Sequence, residues 1–137
     1  MAAEIRGVFA LAYSRDGAPA AVRAATSPAG GSLLETNTPD LPFLVDSVGE
    51  ALAARGLNVV RDTHPIIGME RDATGHIVRV GDPRELPSES VMHFEVDRRL
   101  DANELAELED AVRDVLACVK RVVGDFKEME RRVERFA

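Results

Sequence analysis

This chain has no tryptophan and a single tyrosine, and aromatic residues make up only 4% of its 137 positions. Base-stacking platforms for single-stranded nucleic acid are built from aromatic side chains, so that class of function is not expected. Excess positive charge is missing too: the formal net charge is -7, the wrong sign for a phosphate backbone partner. One cysteine, Cys118, allows no internal disulfide. Its place on the apolar stripe of a helix suggests a small core residue. No run of about 18 apolar residues is present, and no basic segment precedes a short apolar one, so neither a membrane span nor a secretory signal is expected. A cytoplasmic protein is the default.

Catalytic signatures are also missing. There is no G-x-G-x-x-G for a dinucleotide. Ser47 beside Asp46 lacks a G-x-S-x-G elbow and falls inside a helical pattern. His64, His76, His93 and Cys118 show no ligand-like spacing within one element, so no metal site is expected. His64 and His93 lie on strands that can be neighbours, which points to hydrogen-bonded structural roles.

What is present is 45% hydrophobic residues in a length suited to one domain. The pattern is organised around the stretch from Asn37 to Val48. Leu33 and Leu34 end a buried strand, and Leu41, Leu44, Val45, Val48 and Leu52 then share one helical face. Asp40 is the expected N-cap, Pro42 is tolerated in a first turn, and Gly56 is the expected C-terminal stop.

Around this helix, Ile5, Val8, Phe9 and Ala12 predict a short helix over residues 3–14, the same residues being compatible with a strand. Ala20 to Thr26 and Ser32 to Thr36 predict a hairpin across the Ser27 to Gly31 turn. Leu57 to Met69 reads as a strand broken at Pro65 by an edge position or bulge. His76 to Val80 returns after the turn at Arg71 to Gly75. Met92, Phe94 and Val96 alternate with His93, Glu95 and Asp97, predicting a strand with one buried face. Asp101 and Glu104 form a capping box for a long helix whose face runs from Leu105 to Val122. Glu107, Glu109, Asp110 and Arg113 read as its solvated side, with Glu109 pairing Arg113. Residues 125–137 continue as a charged helix carrying Phe126, Met129 and Val133 and stop without a cap, as expected of a piece of a longer chain.

The order from Ser32 is strand, helix, two strands, strand, helix. It predicts an α+β fold of ferredoxin-like βαββα type, with two helices on one face of an antiparallel sheet. The missing fourth strand is expected to be replaced by residues 20–26.

Several strings together carry a resemblance: Leu41-Pro42-Phe43-Leu44-Val45-Asp46-Ser47-Val48, Arg55-Gly56-Leu57, His64-Pro65, Arg71-Asp72, and Glu89 through Arg98. In this order they resemble the N-terminal region of the large bacterial NAD-dependent glutamate dehydrogenases. The match covers nearly the whole chain and is weakest before Thr36. The resemblance implies an ACT-like regulatory domain over residues 19–123, after an N-terminal helix and turn (1–18) and before the start of a helical linker (124–137). It implies catalysis, and NAD, further along a cytoplasmic parent enzyme, with no cofactor in this piece. Partners would be the downstream domains, a small amino-acid effector and further copies, since ACT-like sheets commonly pair through edge strands.

The ACT pattern has an acidic residue, a Pro-Gly-Leu-Leu turn, a helix, then Gly and Asn. Asp40, Pro42, Leu44, Gly56 and Asn58 fit it, and Phe43 stands at the glycine position, where a ring could fill space meant for a ligand. The expected effector site is Asn37, Thr38, Asp40, Leu41, Phe43 and Asp46. First-turn amides would take a carboxylate there, and Asp40 or Asp46 an ammonium. The competing expectations are that Asp40 merely caps the helix, and that the domain is a structural or oligomerisation module without a ligand.

Overall fold

The computed structural model describes residues 10–13 and 15–136. Strands β1 (Ala21–Thr26) and β2 (Ser32–Pro39) form a hairpin, and helix α1 (Leu44–Ala54) follows. Then come β3 (Val59–Thr63), β4 (Ile66–Arg71), β5 (Ile77–Gly81), β6 (Ser88–Val96) and helix α2 (Ala102–Phe136). The sheet is antiparallel. Its order is β1-β2-β6-β4-β5, with β3 also paired to β6. This is the expected α+β, ferredoxin-like arrangement. β1 lies beside β2 in full register, from Ala21 opposite Asn37 to Thr26 opposite Ser32, and so takes the place of the missing fourth strand. Of the helix expected over residues 3–14, residues 10–13 are helical and the remainder lies outside the described residues.

The break at Pro65 has a clear cause. Proline cannot donate to a ladder, so β3 and β4 share one side of β6 in succession: β3 pairs at residues 93–96 and β4 at residues 88–90. Between them Val91 donates its N–H to the Pro65 carbonyl at 3.1 Å. A register shift between Val59 and Arg61 adds a bulge at Val60, and β3 bends there.

One face of the sheet carries Val22, Leu34, Met92, Phe94 and Val96. It packs against Leu44, Val48 and Leu52 of α1 and against Leu108, Val112, Leu116 and Val119 of α2. A local cap starts α2, and a side chain of the helix reaches the sheet. The capping box forms as expected: Glu104 N–H donates to Asp101 at 2.8 Å and Asp101 N–H to Glu104 at 3.1 Å. Glu109 is not simply solvated, because its carboxylate accepts the Ala24 N–H of β1 at 2.8 Å and ties the edge strand to the helix. Its contact with Arg113 is a looser 3.9 Å.

The alternation in β6 predicts one buried face, and the strand buries both. Ala12, Met69 and Val91 form a second small cluster on the face away from α1 and α2. Polar residues complete that cover. Gly75, at φ 93, lies directly against the backbone of Asp16 and Gly17, in space a Cβ would occupy, so the β4–β5 turn and the residue 15–18 turn lock together. Cys118 is exposed, not buried. Its position is one step off the line of Leu116, Val119 and Val123, which take the core.

Candidate functional site

After β2 comes Asp40, whose N–H donates to the Ser88 carbonyl at 3.0 Å. Asp40 therefore extends the β2–β6 ladder and is not the helix cap, the turn itself falling at Pro42 and Phe43. The N-cap is Phe43, with a left-handed backbone at φ 71 and no side-chain hydrogen bond to the first turn. The conformation that favours glycine is kept although glycine is absent. The ring does not fill the space behind the turn, since Phe43 is 67% exposed. The first amides of any helix have no intrahelical acceptor. Here no capping side chain takes them, and the first intrahelical bond runs from Ser47 N–H to the Phe43 carbonyl at 3.0 Å.

Four of the six expected effector residues meet at this helix start. Asp40, Leu41, Phe43 and Asp46 line a concavity of about 210 Å³, joined by His64, Ile66 and Ser90. The last three come from the β3–β4 corner and from β6. Their partnership depends on long-range strand order, so local spacing around the turn gave no sign of it.

The other two expected residues lie elsewhere. Thr38 is buried beneath the helices, with a hydroxyl that has no hydrogen-bond partner. It lines a larger groove of about 680 Å³ between β1, β2, the start of α1 and α2. Leu41 and Leu44 form part of its wall, and Arg113, Lys120 and Arg121 stand along α2. Asn37 points to the opposite face of the sheet and is fully buried.

Around Asn37 the structure assembles a buried ionic network. Glu89 accepts from Arg15 at 2.7 Å, and from Arg71 at 2.7 Å on one carboxylate oxygen and 2.9 Å on the other. Asn37 accepts from Arg15 at 2.7 Å and donates to Glu89 at 3.1 Å. Arg71 also reaches the Gly75 carbonyl at 2.7 Å and the Ala12 carbonyl at 3.2 Å. Burial pushes the Glu89 carboxyl up, but the hydrogen bonds from Arg71, Asn37 and Arg15 outweigh it and hold the group below the usual carboxylate range.

Further along the same face Glu35 meets His93 Nδ1 at 3.1 Å and Arg23 Nε at 2.9 Å. Burial raises its pKa, and these bonds lower it by more. The hydrogen-bonded structural role expected for His93 is thus seen, whereas His64 is exposed at the helix-start concavity. Both networks tie elements together across the back of the sheet. The hydrogen bonds of Glu89 and Asn37 join β2, β4, β6 and the residue 15–18 turn, which makes this cluster a clamp.

Among the described residues no group of three or more His, Cys, Asp and Glu side chains could hold a metal ion. No helix of the described residues is long and apolar enough to cross a membrane.

The sequence profile of a family described as "Glutamate dehydrogenase, ACT1 domain" matches residues 11–112. Two curated relatives share the name NAD-specific glutamate dehydrogenase. The protein from Pseudomonas aeruginosa is 36% identical over 101 residues, covering 71% of this chain. That from Halomonas elongata is 37% identical over 94 residues, covering 66%. The chain spans about 6% of the length of either relative. No solved structure matches the chain significantly.

Proposed function

This chain belongs to the glutamate dehydrogenase ACT1 domain family, and from that premise we propose that it is a non-catalytic regulatory domain which senses a small amino acid. The parent is a cytoplasmic NAD-dependent glutamate dehydrogenase whose NAD chemistry lies in downstream domains. Residues 19–123 are the regulatory unit and residues 124–137 begin the helical connection onward.

The observation that carries the sensing proposal is the uncapped start of α1, flanked by two acidic side chains within one concavity. A carboxylate is stabilised by the unpaired first-turn amides and the positive end of the helix dipole. An ammonium group on the same carbon falls between Asp40 and Asp46. His64 and Ser90 supply further polar contacts, and Ile66 an apolar wall. Regulation follows if the ligand binds two states of the parent enzyme with different affinity.

Calorimetric titration with a panel of amino acids, 2-oxoglutarate and NAD tests this. The expected result is saturable binding of one amino acid, weakened at least tenfold in Asp46→Asn and Asp40→Asn. An absence of heat across the panel would contradict it. A second reading, an assembly module without a ligand, is favoured by the apolar side chains left exposed on α2, described next.

A further inference from the structure

Helix α2 is 35 residues long, and only its first part lies on the domain. Its apolar residues follow one rule throughout. Leu105, Leu108, Val112, Val115, Val119, Val122, Phe126, Met129 and Val133 are separated alternately by three and four positions, the heptad repeat of a coiled coil. Leu108, Val112 and Val119 are spent on the domain core. Val123 is the last residue of α2 in that core, and beyond it the repeat continues where there is no core to meet. Val122 is 55% exposed, Phe126 61%, Met129 63% and Val133 68%. A stripe of that size on a protein surface marks a contact. Its strict spacing says that the contact is another helix.

Charge at the flanking positions selects the partner and its direction. With Phe126 and Val133 at position a, Asp125 and Arg132 fall at g and Glu130 at e. In a parallel pair of these helices, g faces e of the next heptad, which sets Asp125 against Glu130 of the other copy, twice. In an antiparallel pair g faces g, which sets Asp125 against Arg132, again twice.

We infer that α2 pairs antiparallel with α2 of a second copy of this chain about a two-fold axis near residues 127 and 128, Phe126 packing on Met129 and Val122 on Val133. The interface is self-complementary, as a two-fold contact requires. The end of each partner helix then reaches a concavity of about 500 Å³ between α1 and α2, lined by Phe43, Val115 and Val122. This also covers the exposed Phe43 ring. The inference deepens the assembly reading and does not depend on an amino-acid effector.

Sedimentation equilibrium of the chain tests it, with circular dichroism confirming that each variant stays folded; every changed side chain is exposed. A concentration-dependent dimer is expected, weakened at least tenfold by Met129→Asp. Asp125→Arg alone should weaken it by placing a second positive charge opposite Arg132, and adding Arg132→Glu should restore it. A chain that stays monomeric, or a dimer strengthened by Asp125→Arg as parallel pairing requires, would overturn the inference. A dimer indifferent to all these changes would also overturn it while leaving assembly through another surface intact.

Discussion

Phe43 is the residue at which the local rules are most openly broken. A bulky side chain in the left-handed region costs on the order of 1–3 kcal/mol, and the ring is two-thirds exposed, so little packing offsets it. Phe43→Gly should therefore raise stability by about 1 kcal/mol, read from the urea midpoint, after allowing for the greater freedom of glycine in the unfolded chain. Glu89 behaves in the opposite sense. Removing its charge leaves Arg15 and Arg71 uncompensated, and Glu89→Gln should cost about 3 kcal/mol by the same measurement. The pH dependence follows from the depressed carboxyls of Glu89 and Glu35. A folded-state pKa below the unfolded value contributes stability that is complete above the ordinary value of 4.5 and is lost as the pH falls through the folded pKa. The urea midpoint should hold steady above about pH 5 and drop below it, and Glu89→Gln should make that drop shallower.

At the scale of elements, periodicity and punctuation were enough for most of the chain. The 3.6-residue spacing located α1, and Gly56 ended it at φ 71 with its N–H on the Ala53 carbonyl at 2.9 Å. The Asp101 and Glu104 box marked the start of α2, and Asp101→Ala should lower stability by about 1 kcal/mol. What periodicity could not supply was the second buried face of β2 and β6. Glu35, Asn37, Glu89 and His93 have the types and spacing of an exposed strand face. They are buried because Arg15, Arg23 and Arg71 come from distant parts of the chain to meet them, Arg15 from 74 residues away in the case of Glu89. Asp40 misled as a cap for a related reason. A capping side chain is read from residue type, whereas a left-handed Phe43 is set by the geometry of the whole turn. Gly75→Ala should loosen the contact between the two turns and destabilise the fold, with amide exchange accelerating first at residues 15–18 and 72–76.

For the molecule as a whole, the α+β class and the replacement of the fourth strand by β1 followed from the order of elements, whereas the sharing of β6 by β3 and β4 did not. The six expected effector residues came from one local string, and the fold distributes them over three places. Asp40, Leu41, Phe43 and Asp46 stay together because a turn and the first turn of a helix keep neighbours close. Asn37 and Thr38 separate because successive strand residues face opposite sides of a sheet. His64, Ile66 and Ser90 join the concavity only through β3, β4 and β6.

The sensing proposal locates its ligand at the start of α1, and amide chemical-shift mapping during an amino-acid titration tests that location most directly. The account predicts saturable shifts in the Leu44, Val45 and Asp46 amides together with His64 and Ser90, lost in Asp46→Asn. Shifts confined to the groove at Thr38 and Leu116, or none at all, would contradict it.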